Sequence, residues 1–307
     1  MKFFVTGGAG FIGRHLIRSL LKNNHEVTIY EDFSNSDKNN IKNICKQGAL
    51  LINGNLIDYA LLEKNLKGFD FVIHLAAKID ILESIHNPEI TNQINVEGTI
   101  NVLRACVTNN IQNIIGASSA AIYGNPETIP VTEETIPNPV SPYGADKISM
   151  EFYLRAFANA FDLNTISLRF FNVYGKGQSN AYAGVITKFM EKITSEKPLE
   201  IFGDGSNTRD YIFIDDLIHG ILQAIKNIQG NKGTTYNIAS GKSTSINELA
   251  ALMLKISRKK LEIVHKSPRS GDLLFSEVLI SKAKNELKYY PKFDLESGLS
   301  KLLKEME

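Results

Sequence analysis

Residues 4–13 read FVTGGAGFIG: a short apolar run ends in Thr6, four glycines follow at 7, 8, 10 and 13, and the chain continues directly into RHLIRSLL. The pattern predicts a strand, a loop and a helix. Gly7, Gly10 and Gly13 are spaced GxxGxxG, which suits a sharp turn, a backbone bare enough for a pyrophosphate to approach, and close packing of helix on strand. A tight βα turn with no ligand would look the same, so the next acidic position decides the reading. The run TIYED places Glu31 and Asp32 after a second strand pattern, about where the acid that holds a ribose diol belongs. Two acids there would repel a 2′-phosphate, so the loop is read as a site for NAD rather than NADP.

Working outward, β-rich apolar runs (KFFVTG, EVTIYE, ALLIN, FDFVIHLAA, IQNIIGASSA) alternate with helical stretches at 11–23, 58–67 and about 88–110. This alternation predicts a parallel sheet covered by helices on both faces. A proline-rich loop follows, then a helix from Pro142 to Phe161 with proline at its first position, and a strand LNTISLRFF. Beyond Asn172 the pattern loosens into Gly, Ser and Asn loops, with helices near 183–195 and from about 215. Ser245 and Glu248 form a capping box for a helix at 246–257, and two short helices end the sequence. The fold class is α/β: a doubly wound parallel Rossmann sheet with a smaller C-terminal α/β lobe. Residues 1–170 are expected to form the NAD-binding domain, with segments from about 210–245 returning to it, and 171–307 the substrate lobe.

The chain has 307 residues, 43% hydrophobic and 22% charged, and a net charge of +1. No long run of one charge points to nucleic acid or an anionic membrane, and no apolar run approaches the ~18–20 residues that span a bilayer. Cys45 and Cys106 make no disulfide framework and there is no leader-like segment, so a reduced, cytoplasmic protein is expected. Six histidines without ligand spacing point away from a metal.

Tyr143 and Lys147 lie four apart on the predicted helix and so share a face. Ser118 and Ser119 end the fifth strand, at the carboxyl edge where ligands of such sheets bind. A tyrosine with an ordinary pKa near ~10 acts as a base at neutral pH only where positive charge favours the phenolate. Lys147 and a nicotinamide cation would supply that charge, and a serine hydroxyl would hold the substrate oxygen. An ordinary surface Tyr/Lys pair has the same spacing, so the case rests on the glycine loop and the serines together.

These residues belong to a longer series. TGGAGFIG, HLAA at 74–77, SSAAIYG at 118–124, SPYGADK at 141–147, RFFNVYG at 169–175, RDYIFIDD at 209–216 and PRSGD at 268–272 resemble, in order and over nearly the whole chain, the extended short-chain dehydrogenases acting on nucleotide sugars. Among these the chain most resembles the UDP-glucose/UDP-N-acetylglucosamine 4-epimerases. The resemblance implies an isomerase that oxidises the sugar at C4 with tightly held NAD and returns the hydride to the opposite face. It implies Ser119, Tyr143 and Lys147 as catalytic residues. Cofactor contacts are implied for Gly7, Gly10, Phe11, Ile12, Gly13, Glu31, Asp32, Asn55, Leu56, Leu75, Ala76, Ala77, Asn95 and Ser118, together with Tyr143 and Lys147. Substrate contacts are implied for Ser119, Asn172, Val185, Phe202, Arg209, Arg269, Asp272 and Ser276, with the two arginines on the diphosphate. Asn55 stands where the family usually has an acid, and Glu31 where aspartate is common.

Within the family, 4,6-dehydratases need an acidic pair beside the catalytic serine, where this chain has Ala120 and Ala121. UDP-glucuronate 4-epimerase and 4,6-dehydratase are the enzymatic alternatives, and a non-catalytic NAD-binding regulatory protein is the distant one. Ser276, where some relatives carry a bulky tyrosine, leaves room for an N-acetyl group. A homodimer is the family expectation. Met150, Phe152, Leu154, Phe157 and Phe161 either serve its interface or pack on the sheet.

Overall fold

The computed structural model describes residues 1–178, 184–268 and 277–305. Its strands are β1 (Lys2–Thr6), β2 (Glu26–Glu31), β3 (Leu50–Asn53), β4 (Phe71–His74), β5 (Asn113–Ser119), β6 (Asn164–Phe170), β7 (Asn172–Tyr174), β8 (Leu199–Phe202), β9 (Thr208–Phe213), β10 (Lys232–Ile238), β11 (Ser243–Ser245) and β12 (Ile263–Lys266). Its helices are α1 (Phe11–Lys22), α2 (Lys42–Lys46), α3 (Tyr59–Asn65), α4 (Ile81–His86), α5 (Pro88–Asn92), α6 (Gly98–Thr108), α7 (Pro142–Phe161), α8 (Val185–Thr194), α9 (Ile214–Lys226), α10 (Ile246–Ser257) and α11 (Leu295–Lys304). The chain divides into two compact units. The first is Met1–Gly124, Pro137–Arg169 and Ile221–Tyr236; the second is Asn125–Ile136, Phe170–Gly220 and Asn237–Glu307.

A seven-stranded sheet runs β10-β6-β5-β4-β1-β2-β3. The pairs β1–β2, β1–β4, β2–β3 and β4–β5 are parallel. Chain order reverses on either side of β1, and the crevice at the carboxyl ends of β1 and β4 is where ligands of such sheets lie. The strands are apolar on both faces because helices cover both: Phe3, Phe4, Val5, Ile29, Val72 and Ile114 are fully buried or nearly so. On α1, Leu16, Ile17 and Leu20 are buried one helical turn apart. Met150 and Leu154 of α7 are in the core, with Phe157 packed against it, while Phe152 and Phe161 are exposed. Met150, Leu154 and Phe157 therefore follow the packing reading.

Helix α7 begins and ends where the sequence predicts. The Ser141 side chain accepts from the Gly144 N–H, Pro142 takes the first position, and Asp162 closes the helix with φ 57°. The stretch expected as one helix over 88–110 is instead α5, a π-helical turn at Gln93–Glu97, and α6. At that wider turn the buried Asn95 accepts from the Lys78 N–H at 2.8 Å and donates to the Lys78 carbonyl at 2.9 Å. A polar side chain tied to a neighbouring loop coincides with the change of pitch.

In the second unit, β7 and β9 pair in parallel and β9 and β11 antiparallel, while β8 and β12 form a parallel pair. The capping box of α10 forms between Ser245 and Glu248 as expected. Asp210 on β9 is fully buried and accepts from the N–H groups of Ser240, Gly241 and Lys242 at 2.8, 2.7 and 3.0 Å. Burial pushes its pKa up to about 6 against the pull of those bonds. Among the described residues no helix is long and apolar enough to cross a membrane, and no His/Cys/Asp/Glu group could hold a metal.

Candidate active site

The glycine loop joins β1 to α1 at the point where the sheet reverses. Gly7 has φ +68°, and a Cβ there would stand 2.6 Å from the Ala76 nitrogen beyond β4. A Cβ on Gly13 would stand 2.7 Å from the Gly7 carbonyl oxygen. Both positions therefore require glycine, one for backbone hand and approach to β4, the other for seating α1 on the loop. Gly10 caps α1 without any side-chain hydrogen bond, so the first-turn N–H groups face outward as an anion site needs. Phe11 and Ile12 open that first turn. The cradle fits a pyrophosphate, and no described side chain fills it as a cap.

Glu31 ends β2 and is buried. Its carboxylate accepts from the Ala9 N–H at 3.0 Å and from the Phe33 N–H at 3.2 Å, so it also fixes the loop it faces. Burial raises its pKa and the two backbone bonds oppose that rise. Asp32 accepts from the Ser34 N–H at 2.9 Å and from the Asn55 side-chain amide at 2.9 Å. An aspartate at 55 would set two carboxylates against each other, so the departure at Asn55 is matched by the acid at 32. Leu56 is buried, and its carbonyl accepts from Asn101.

Leu75, Ala76 and Ala77 follow β4. The Leu75 N–H donates to the Thr6 carbonyl and the Ala76 N–H to the Thr6 hydroxyl oxygen. His74, fully enclosed, bridges Thr6 and Thr99 at 2.8 and 3.0 Å. Thr99 donates its own hydroxyl to the Asn95 carbonyl, so His74 carries its proton on Nε2 and accepts from Thr6 at Nδ1. Burial and the charge of Lys147 push the His74 pKa down to about 3, and the ring stays neutral.

The three catalytic candidates meet at the end of β5. Ser119 caps the short 3₁₀ turn Ala120–Tyr123, accepting from the Ala121 N–H at 3.2 Å. The Tyr143 hydroxyl is hydrogen-bonded to Ser119; burial raises the phenol pKa and that bond lowers it. The Lys147 ammonium lies 5.8 Å from the Tyr143 ring centroid and donates to the Ala117 carbonyl at 2.7 Å. Burial pushes Lys147 down to about 8, with Asp146 and Glu151 pulling it back up. Ser118 turns the other way and donates to Glu151.

In the second unit, Asn172, Val185, Phe202 and Arg209 line one open pocket with a cavity volume of about 200 Å³. Asn172 donates to the Asp210 carbonyl at 2.9 Å, and Arg209 donates to the Thr208 carbonyl at 2.7 Å. Asp210 spends its carboxylate on the 240–242 loop rather than on a surface pair with Arg209. Arg269, Asp272 and Ser276 lie outside the described residues. Further residues line the pocket that sequence reading passed over, among them Gln178, Asn207 and Tyr211. Of these three, Tyr211 had a signal, its place in RDYIFIDD two residues after Arg209.

A Methanocaldococcus jannaschii relative with a provisional UDP-glucose 4-epimerase name is 37% identical over 306 residues, covering 99% of this chain and 97% of its own. The UDP-glucose 4-epimerase of Thermotoga maritima, solved with UDP-glucose, superposes with TM-score 0.93 at 33% identity over 100% of this chain and 98% of that one. The UDP-N-acetylglucosamine 4-epimerase of Methanobrevibacter ruminantium, solved with UDP-N-acetylmuramic acid, gives TM-score 0.93 at 33% identity over 99% and 97%. The model of the NAD dependent epimerase/dehydratase family matches residues 3–239. With its glycine cradle, its acid at the end of β2 and its Ser-Tyr-Lys cluster, the chain belongs to the NAD-dependent epimerase/dehydratase family.

Proposed function

We propose that this protein is a UDP-hexose 4-epimerase, interconverting UDP-glucose with UDP-galactose and UDP-GlcNAc with UDP-GalNAc. The observation that carries the reading is the Ser119–Tyr143–Lys147 cluster, assembled in the same unit as the glycine cradle. NAD, when bound, would supply the hydride acceptor for oxidation at C4 and its return. The chain's own residues handle the proton. Tyr143 takes it from the sugar 4-hydroxyl and returns it after the sugar has turned, so the reaction leaves no net change in the cofactor. Ser119, bonded to Tyr143, holds the same oxygen, and the Lys147 ammonium favours the phenolate. No acidic pair stands at Ala120 and Ala121 to eliminate water.

Gly7, Gly10, Phe11, Ile12 and Gly13 would hold the pyrophosphate, and Glu31, Asp32, Asn55 and Leu56 the adenosine. Asn172, Val185, Phe202 and Arg209 would hold the nucleotide of the substrate, and Ser276 would admit an acetamido group. The working form is proposed as a cytoplasmic homodimer. Leu82 and Ile85 of α4, Ile90 of α5 and Phe152 and Phe161 of α7 give it exposed apolar surface within the first unit.

Purified protein, given UDP-glucose, UDP-GlcNAc or UDP-glucuronate without added NAD, should invert C4 of the first two in proton NMR spectra and release no net NADH. Accumulation of a 4-keto-6-deoxy sugar, or turnover of UDP-glucuronate alone, would overturn the proposal.

A further inference from the structure

The face of α7 that carries Tyr143 and Lys147 continues one turn further, to Glu151. Glu151 and Arg169 are 3% and 4% exposed. Glu151 Oε1 accepts from the Ser118 hydroxyl at 2.5 Å and from Arg169 Nε at 2.9 Å, and Oε2 accepts from Arg169 Nη2 at 2.8 Å. Arg169 Nη1 donates to the Tyr123 hydroxyl at 2.8 Å. One turn earlier, Lys147 grips Ala117. Two side chains four apart on α7 thus hold two successive residues at the end of β5, and the next residue is Ser119. A buried ion pair is a poor source of stability, because apolar residues of like volume often serve a fold as well. Its place here, on the same helix face and the same strand end as the candidate catalytic groups, gives the charge another use.

We propose that Glu151, locked by Arg169, is a positioning residue for the reaction: it sets Ser119 against Tyr143 by holding Ser118, and its carboxylate balances the buried Lys147 ammonium. The inference rests on the roles given above to Tyr143 and Lys147. The titratable groups around Lys147 are Tyr143, Asp146 and Glu151 on its own helix and His74 from β4, with Arg169 from β6 and Tyr123 reached through Glu151. Removing the Glu151 charge leaves the Arg169 cation, and both changes make Lys147 easier to deprotonate. The alkaline limb of activity then moves to lower pH.

The test compares wild type, Ser118→Ala, Glu151→Gln, the double variant Glu151→Gln/Arg169→Met and Tyr143→Phe on UDP-glucose, measuring kcat, KM and their pH dependence alongside Tm. Ser118→Ala should lower kcat about tenfold with KM changed less than about twofold, since it loosens geometry rather than binding. Glu151→Gln should move the alkaline limb down by about one pH unit. In the double variant the leftover cation is gone, so the limb should return toward wild type while kcat stays low. If Ser118→Ala and the double variant keep wild-type kcat, whatever their Tm, the pair is structural only and the proposal fails. Those two variants decide the matter even where Glu151→Gln does not fold. Wild-type turnover by Tyr143→Phe would instead remove the underlying reading, and Glu151's part with it.

Discussion

The two units prepare for their ligands in opposite ways. In the first, the candidate groups are already bonded to one another: Glu31 to its glycine loop, Asn55 to Asp32, Asn95 to Lys78, Tyr143 to Ser119 and Lys147 to Ala117. In the second, the candidate pocket is open, and beside it the hydroxyls of Tyr211 and Thr208 are buried with no hydrogen-bond partner among the described residues. A site that must move a proton and hold a helix against a strand gains from rigid geometry set in advance. A pocket that must take up and release a nucleotide sugar gains from polar groups that wait for it.

The comparison breaks most visibly at Tyr143. Tyr143→Phe should lower turnover by about 10² to 10⁴-fold, the range for losing a general base, and leave the bound NAD content of the purified protein unchanged. Wild-type activity would mean that the preassembled cluster is not the reactive one. Gly7→Ala comes next. Its Cβ would meet the Ala76 backbone at 2.6 Å with φ +68°, so about 1–3 kcal/mol of stability should go by urea titration, and co-purifying NAD should go with it. Retained NAD would show that the cradle tolerates a side chain and that the dinucleotide lies elsewhere.

The pH profile is a milder test. Lys147, pushed down to about 8 by burial, is charged below that pH and neutral above it. Turnover should therefore fall as pH rises through about 8, where an unperturbed lysine would keep its charge to about 10. A flat profile to pH 10 would place Lys147 outside the proton machinery. The sign for stability is the reverse. A lysine whose folded pKa is depressed opposes folding below that pKa, and its cost fades between about 8 and the unfolded value.

How much was legible differs between the units for a physical reason. In the first, strands buried on both faces write continuous apolar runs, the cradle needs glycine at fixed steps, and α7 announces itself with Ser141 and Pro142. Those are local rules, so GxxGxxG, Glu31 and the Tyr143–Lys147 pair could be read without a structure. The second unit's strands are three to six residues long, among them Asn172–Tyr174 and Ser243–Ser245, and partners far apart in sequence define them. They carry no periodic signal of their own. Arg209 and Asn172 were legible only through resemblance, while Gln178 and Asn207 gave no signal. The pairing of Asp32 with Asn55 was illegible for the same reason, since each residue reads as a loop polar group until the fold brings them to 2.9 Å. Glu151 had a faint signal, the 143, 147, 151 repeat on one helix face. Its meaning depended on Arg169, which comes from a fully buried strand where a sequence pattern suggests only core.

The smallest effect is the sharpest on the contrast between the units. Tyr211 is 6% exposed, lines the pocket beside Arg209, and has no hydroxyl partner among the described residues, with burial raising the phenol pKa. An unmade bond of that kind costs the fold about 1–3 kcal/mol of desolvation, which removing the oxygen would recover at least in part. Tyr211→Phe should therefore hold or raise Tm in a thermal melt. If the hydroxyl waits for a phosphate or ribose oxygen, the same change should raise KM for UDP-glucose by about three- to tenfold with kcat little altered, because the lost bond serves bound substrate and transition state alike. A lower Tm with unchanged KM would mean that the oxygen serves the fold. The pocket would then be as self-satisfied as the dinucleotide site, and the difference between the two units would disappear.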